Sequence, residues 1–271
     1  MAPLTPFTSN QISALRALRR IWPSDRFVLI GASALRCFIS ERGPTHDLDL
    51  ALAVSLEEYP GGVERLPGWS RHRRREHRWL TPEDVVVDII PASSDLLAAG
   101  EIVWPVDGSR MSLVGIMLAF DHAVMIALGE GLAIPVAPPP VLTVLKMVAY
   151  LDSPYDRAKD LGDIAWILEG FVGPTADERF ADEIFELGLQ DEEVSPLLLG
   201  RRVAEIAGEP EVEAVRRFLD VVLERARPSP ALGEMARQGP PRLRADIEEA
   251  IKRVRAFERG FAPRAHAGSP P

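Results

Sequence analysis

Residues 47–52 read Asp-Leu-Asp-Leu-Ala-Leu, and this short stretch decides the fold that we expect. Polar and apolar residues alternate along it, which is the pattern of a β-strand with one face toward a core. Asp47 and Asp49 are two residues apart, so their carboxylates point to the same face. Neighbouring carboxylates repel each other, and a hard cation such as Mg²⁺ removes that cost. The pair predicts a metal site, although a solvated strand face or a turn gives the same pattern.

A third acid interrupts an apolar run that follows the first strand. Residues 85–90 read Val-Val-Val-Asp-Ile-Ile, and with Arg78–Leu80 and a turn at 81–84 they predict a β-hairpin. If this strand lies beside the first one, Asp88 converges with the two earlier acids. Three such carboxylates suit one or two Mg²⁺ ions in phosphoryl or nucleotidyl transfer. The alternative is an edge residue or a structural acid satisfied by hydrogen bonds.

A glycine and a serine stand where an earlier strand gives way to a helix. The apolar run Phe27–Ile30 predicts a buried strand, and Gly31-Ala32-Ser33 follows it. Gly31 lets a ligand approach the backbone closely, and the free N–H groups of a helix start, together with the Ser33 hydroxyl, can bind phosphate. Such a motif is common by itself. Its order before the three acids, within 58 residues, favours one nucleotide-binding site.

Composition sets the broad class of the protein. The chain has 271 residues, 46% hydrophobic and 26% charged, which is ordinary for a globular protein with a sizeable core. A single cysteine, Cys37, excludes an intramolecular disulfide and fits a reducing compartment. No apolar run reaches the roughly 18 residues of a membrane span. Arginines break the first apolar stretch, so we expect no signal peptide, no membrane association and a cytoplasmic location.

Charge is distributed unevenly along a chain whose net charge is −9. Residues 71–78 contain five arginines against one glutamate, whereas residues 176–194 contain eight acids against one arginine. The arginines are suited to an RNA backbone or a nucleoside triphosphate, or they protect an edge strand from aggregation. The acidic stretch is a solvated helix face or a surface for a basic partner.

The second half of the sequence is mostly helical in pattern. Apolar residues recur at helical spacing from Val141 onward, and Gly/Pro-rich segments separate the runs. We therefore predict an α/β (α+β) protein with a mixed-sheet core at 1–135, a helical part at 136–258 and a disordered tail at 259–271.

The order of the motifs resembles the nucleotidyltransferase superfamily, and further segments are similar to its AbiEii-type members. Those members are toxins of bacterial toxin–antitoxin and phage-abortive systems. The segments that carry the resemblance are Arg42-x-x-Thr45-x-Asp47-Leu48-Asp49, Arg75-Glu76-His77-Arg78-Trp79, Val87-Asp88-Ile89-Ile90-Pro91, Leu145-Lys146-Met147-Val148-Ala149-Tyr150-Leu151, Arg157-Ala158-Lys159-Asp160-Leu161-Gly162-Asp163-Ile164 and Leu199-Gly200-Arg201-Arg202. The resemblance spans about residues 25–225. One departure is Gly-Ala-Ser at the strand end, where many members carry Gly-Gly or Gly-Ser.

The resemblance implies a role for each matching residue. Gly31 and Ser33 would hold the nucleotide phosphates, and Asp47 and Asp49 would hold Mg²⁺. Asp88 would activate the attacking hydroxyl or complete the metal shell. Two residues enter only through the resemblance. Lys146 would reach a phosphate, and Asp160 or Asp163 would position that lysine or the substrate.

The implied activity is Mg²⁺-dependent transfer of a nucleoside monophosphate from an NTP to an acceptor. The acceptor would be RNA, especially a tRNA end, and the protein would act as a toxin with a cognate antitoxin as partner. Two other functions stay open from the residues. A small-molecule nucleotidyltransferase of the antibiotic-modifying kind would share every core residue. A non-catalytic nucleotide- or partner-binding module would bind an NTP without turnover.

Overall fold

The computed structural model divides the chain into two compact units, Met1–Asp152 and Ser153–Pro271. The structure describes residues 6–23, 25–129, 131–173, 176–180, 184, 186–224, 229–243 and 246–262. The predicted acidic segment at 176–194 lies partly outside these ranges. Most of the predicted tail, residues 263–271, lies outside them entirely.

The first unit is a mixed α/β structure. Its strands are β1 (Phe27–Ile30), β2 (Asp47–Leu52), β3 (Ser70–Arg71), β4 (Arg78–Leu80), β5 (Val86–Pro91), β6 (Glu101–Val103), β7 (Arg110–Ser112), β8 (Val124–Gly129) and β9 (Leu132–Val136). Its helices are α1 (Ser9–Ile21), α2 (Gly31–Leu35), α3 (Glu58–Val63), α4 (Ser94–Ala99), α5 (Ile116–Asp121) and α6 (Pro139–Asp152).

Seven of these strands form one sheet, in the order β3-β4-β5-β2-β1-β9-β8, and β6 pairs with β7 separately. The β1–β2 pair is antiparallel, and β2 runs parallel to β5. Strand β2 therefore lies in the middle of the sheet, where pairing on both sides fixes its register. The alternation of residues 47–52 suits this position, because Leu48 and Leu50 are buried while the alternating Asp47 and Asp49 are half-buried.

One face of the sheet around β2 is core and the opposite face is polar. Val87 and Ile89 are fully buried beside Leu48 and Leu50 on the core face, and Trp79 of β4 is buried with them. Asp47, Asp49, Val86, Asp88 and Arg78 point the other way and are half-buried. A one-residue slip would exchange the two faces, so the hydrophobic pattern also fixes which side carries the acids.

The second unit is helical. Its helices are α7 (Ala158–Gly170), α8 (Asp191–Ile206), α9 (Glu209–Val222), α10 (Pro230–Gln238) and α11 (Ile247–Phe261), with a short 3₁₀ helix at Ala176–Phe180. Helices α8 and α11 pack most extensively. The two helices approach most closely at glycines. A Cβ on Gly260 would lie 2.9 Å from the Leu197 carbonyl carbon, and one on Gly200 would lie 2.8 Å from the Phe261 nitrogen.

Replacing Gly200 or Gly260 by alanine is therefore expected to lower the free energy of unfolding of this unit by about 1–3 kcal/mol, since backbone cannot yield to the added methyl. Urea unfolding measures the change. Gly233→Ala in α10 is the matched control, because its Cβ would meet nothing within 4 Å; we expect it to gain about 0.5–1 kcal/mol. Wild-type stability in the Gly200→Ala and Gly260→Ala variants would contradict the tight crossing.

The predicted fold class is confirmed: a mixed sheet carries the first unit and helices form the second. Helix α2 ends at Leu35, although the sequence pattern predicts a helix from Ala32 to Ile39. Helix α11 continues to Phe261, so it includes three residues assigned to the tail. The domain boundaries drawn from the sequence stay a prediction. Among the described residues, no helix combines the length and apolarity that a membrane crossing requires.

Candidate active site

The acid pair of β2 lies next to the start of α2. Ile30, the last residue of β1, is the register partner of Asp49. Gly31 follows with φ of 70°, a left-handed conformation that favours glycine. A Cβ at this position would lie 2.7 Å from Cγ of Asp49 and 2.8 Å from its Cβ. The side chain of Asp49 therefore occupies the space that only a glycine leaves free.

The third acid faces the pair directly. In the parallel β2–β5 ladder, Asp88 is the partner of Asp49, and Val86 is the partner of Asp47. Register partners in a ladder point to the same face, as do residues two apart on one strand. The structure thus places the carboxylates of Asp47, Asp49 and Asp88 on the polar face of the sheet, which is the arrangement that the sequence predicted for adjacent strands.

Arg78 is a member of this face that the sequence analysis did not assign to it. Its Nε and one terminal nitrogen donate to the two oxygens of Asp88, at 2.7 and 2.6 Å. The pKa of the Arg78 guanidinium is raised, chiefly by these hydrogen bonds and further by the charges of Asp88, Asp47 and Asp49. One cation thus lies in the field of three carboxylates. The predicted hairpin contained the signal that could have found it, because pairing Leu80 with Val86 across the turn also pairs Arg78 with Asp88.

The donor atoms of the face suit a hard dication. The side chains of Asp47, Asp49 and Asp88 offer only oxygen atoms, which are the ligands that Mg²⁺ prefers. Among the described residues, no group of three or more His, Cys, Asp or Glu side chains is placed to hold a metal ion. Mg²⁺ needs fewer, because it takes one or two carboxylates and completes its shell with water and substrate phosphate. Asp47 and Asp49 meet that need, and Asp88 is already in an ion pair with Arg78.

Gly31 and Ser33 lie at the end of β1, where the sequence predicted a phosphate-binding motif, but the Ser33 hydroxyl bonds to the backbone. Ser33 is buried, and its hydroxyl donates to the carbonyl of Ile30 at 3.4 Å. Helix α2 has only five residues, so it offers an anion the free backbone N–H groups of one turn rather than a long helix dipole. The assignment of Gly31 and Ser33 to a nucleotide stays a prediction.

Lys146 belongs to the first unit and Asp160 to the second. Lys146 is buried on α6, a helix that packs against α2 and α5 within the first unit. Asp160 is fully buried in the first turn of α7, and its Oδ2 lies 3.7 Å from Nε of Arg157. Asp163, one turn further along α7, is buried as well. The roles that the resemblance gives to Lys146 and Asp160 stay predictions.

An open cavity of about 630 Å³ lies on the sheet beyond the acids. We call it the arginine cavity, and the residues that define it are Arg71, Arg73, Arg74, Arg78, Leu80 and Val86. Its volume falls in the range of ligand-binding sites. The cavity therefore brings most of the arginine-rich segment 71–78 to the neighbourhood of Asp88, through Arg78.

Comparisons with known proteins were made for the whole chain. The profile of a family described as nucleotidyl transferase AbiEii toxin, type IV toxin–antitoxin system, matches residues 13–253. No curated protein sequence matches significantly. Among solved structures, JHP933 from Helicobacter pylori is 14% identical, with 93% of this chain and 90% of that chain covered and a TM-score of 0.38. A complex of a CCA-adding enzyme with ATP is 15% identical, with 94% and 53% covered and a TM-score of 0.30.

Proposed function

We propose that this chain, which belongs to the family of AbiEii nucleotidyl transferase toxins of type IV toxin–antitoxin systems, moves a nucleoside monophosphate from an NTP to RNA, such as the end of a tRNA. The observation that carries the proposal is that Asp47, Asp49 and Asp88 lie on one face of the sheet. Gly31, at the start of α2, leaves the space that the Asp49 side chain occupies. A module that only binds a nucleotide does not need three acids on one face, whereas nucleotidyl transfer uses such acids to hold a metal ion and to accept a proton.

Asp47 and Asp49 would hold Mg²⁺, because they are half-buried oxygen donors on the same face of β2. When bound, Mg²⁺ supplies charge neutralisation and orientation for the NTP phosphates. The free N–H groups at the start of α2 would bind those phosphates, with Gly31 permitting close approach. Lys146 as a phosphate contact and Asp160 as a positioning residue rest on the family alone.

Asp88 would receive the acceptor. Each of its carboxylate oxygens accepts from Arg78 and keeps a second lone pair, so a hydroxyl can donate to Asp88 without breaking the ion pair. The hydroxyl oxygen bonds to the α-phosphorus, and the bond from that phosphorus to the pyrophosphate oxygen breaks. The hydroxyl proton passes to Asp88 and then to water. Arg78 fixes the orientation of the carboxylate throughout, which is the positioning that such transfer depends on.

We also propose a location and a partner for the protein. NTPs and tRNA are cytoplasmic, so we place the protein there. Type IV toxin–antitoxin membership implies a cognate antitoxin, and the acidic segment 176–194 would suit a basic surface on that partner.

Incubation of the protein with each labelled NTP and Mg²⁺, first with total tRNA and then with a panel of small-molecule acceptors, tests the function. We expect label to appear in tRNA, pyrophosphate to be released, and both to stop when a chelator removes the metal. Mass spectrometry of the tRNA identifies the added nucleotide. Labelling of a small molecule alone would instead show a small-molecule nucleotidyltransferase. NTP binding without any transfer would show a binding module.

A further inference from the structure

The polar face of the sheet changes in chemical character from β2 toward β4. Neighbouring strands lie about 4.8 Å apart, so β4 lies roughly 10 Å from β2 and β3 lies one strand further. Along one register row, Asp47 is followed by Val86 and then by Leu80. Beyond Asp47 this face is thus apolar at Val86 and Leu80, whereas the neighbouring row runs from Asp49 through Asp88 directly to Arg78.

The arginines of the cavity differ in how they are held. Arg71 is anchored, because it donates to the Glu76 carbonyl at 2.9 Å and to the Tyr59 hydroxyl at 3.0 Å. Arg73 and Arg74 are exposed, and within the described residues no carboxylate pairs with them. Two of the four guanidinium groups of the cavity, those of Arg73 and Arg74, are therefore exposed to solvent without a carboxylate partner among the described residues.

The loop that carries these two arginines has a defined shape. The His72 Nδ1 accepts hydrogen bonds from the backbone N–H groups of Arg74 and Arg75, at 3.2 and 3.1 Å. The His72 backbone N–H in turn donates to the Arg78 carbonyl at 2.8 Å, which continues the ladder between β3 and β4. Arg73 and Arg74 consequently project from a folded turn at the rim of the cavity, so less ordering is required when they bind an anion.

The order of the strands decides which reactant lies near the cavity. In transfer to phosphorus, the attacking and leaving oxygens lie roughly in line on opposite sides. Gly31 is at the β1 edge of β2, whereas Asp88 and the cavity are on the β5 edge. If the pyrophosphate leaves on the side of Gly31, the acceptor enters from the side of the cavity.

We propose that the arginine cavity binds the phosphodiester backbone of the RNA acceptor, with Arg73 and Arg74 as the phosphate contacts and Leu80 and Val86 as an apolar floor under the nucleoside. This inference rests on the proposed transfer to RNA. Local cations are required because the chain carries a net charge of −9, which repels a polyanion elsewhere. A cationic small-molecule acceptor would be repelled by the same arginines.

The test measures binding without turnover. A fluorescein-labelled single-stranded RNA of about ten nucleotides is titrated with wild type, Arg73→Ala/Arg74→Ala and Arg73→Lys/Arg74→Lys, from about 50 to 200 mM salt. The matched control is Arg216→Ala/Arg217→Ala, which removes two exposed arginines from α9. Binding of the NTP to each variant is measured separately, and the KM for tRNA and for the NTP is measured in the transfer assay.

We expect the alanine pair in the cavity to weaken RNA binding by roughly tenfold at the lower salt. The slope of log K against log salt should fall by about 1.4, which is 0.7 for each of the two phosphates that an arginine no longer neutralises. The KM for tRNA should rise while NTP binding stays unchanged. The lysine pair should retain most of the binding, and the control pair should behave as wild type.

Unchanged RNA binding in the alanine pair, an equal loss in the control pair, or no RNA binding by wild type would overturn the inference. A loss of NTP binding in place of RNA binding would identify the cavity as the nucleotide site and overturn it as well. Failure of the proposed function looks different: wild type would bind the RNA through these arginines yet transfer nothing to it.

Discussion

Asp47→Asn and Asp49→Asn are expected to reduce nucleotidyl transfer by roughly a thousandfold each. Loss of the metal removes several kcal/mol of charge stabilisation in the transition state, and about 4 kcal/mol corresponds to three factors of ten. Asparagine keeps the shape of the side chain, so Asp49→Asn still fits against Gly31. The rate of transfer at saturating NTP and tRNA measures the effect.

Stability separates this loss from damage to the fold. Each substitution keeps the shape of the side chain and removes one of three like charges that share a face, so the free energy of unfolding should change little. Mg²⁺ should raise the melting temperature of wild type and leave that of both variants unchanged. Asp95→Asn, an exposed acid on α4, is the matched control and should keep activity and the response to Mg²⁺. Full activity in Asp47→Asn or Asp49→Asn would refute the metal site.

The acids of the candidate site were predictable because β2 and β5 have opposite chemical requirements on their two faces. Alternation fixed the face of Asp47 and Asp49, and a lone acid in the run 85–90 had no place in a core. The family match confirms the resemblance that these motifs carried. The roles of the individual residues stay predictions, since a strand pattern places a carboxylate but does not say what it binds.

Other parts of the fold were not predictable in the same way. The hairpin of β8 and β9 was not assigned, because its apolar residues do not alternate and Pro135 argues against an inner strand. The structure tolerates that proline, since β1 pairs with β9 only where Leu29 meets Val136. The proline-containing segments 227–230 and 239–241 were interpreted as linkers and no helix was predicted between them, yet Pro230 starts helix α10 with Ser229 as its cap. In both places tertiary pairing outweighed local pattern.

Gly31→Ala should cost roughly a hundredfold in transfer, because the added methyl group displaces Asp49. The new Cβ would lie within 3 Å of both Cβ and Cγ of Asp49. Rotating the carboxylate cannot relieve the contact with Cβ, because Cβ is fixed to the backbone of β2. The strand or the start of α2 must move, and a displacement of about 1 Å at a reacting centre costs about two factors of ten.

Gly100→Ala is the control that isolates this effect. Gly100 ends α4 with φ of 74°, close to the 70° of Gly31, but an added Cβ would meet nothing within 4 Å. Both variants therefore lose about 1–2 kcal/mol of stability to the left-handed backbone, and only Gly31→Ala should lose transfer and the stabilisation by Mg²⁺. Equal activity in the two variants would show that Asp49 does not depend on the space at Gly31, and the acid pair would then need another explanation for its position beside α2.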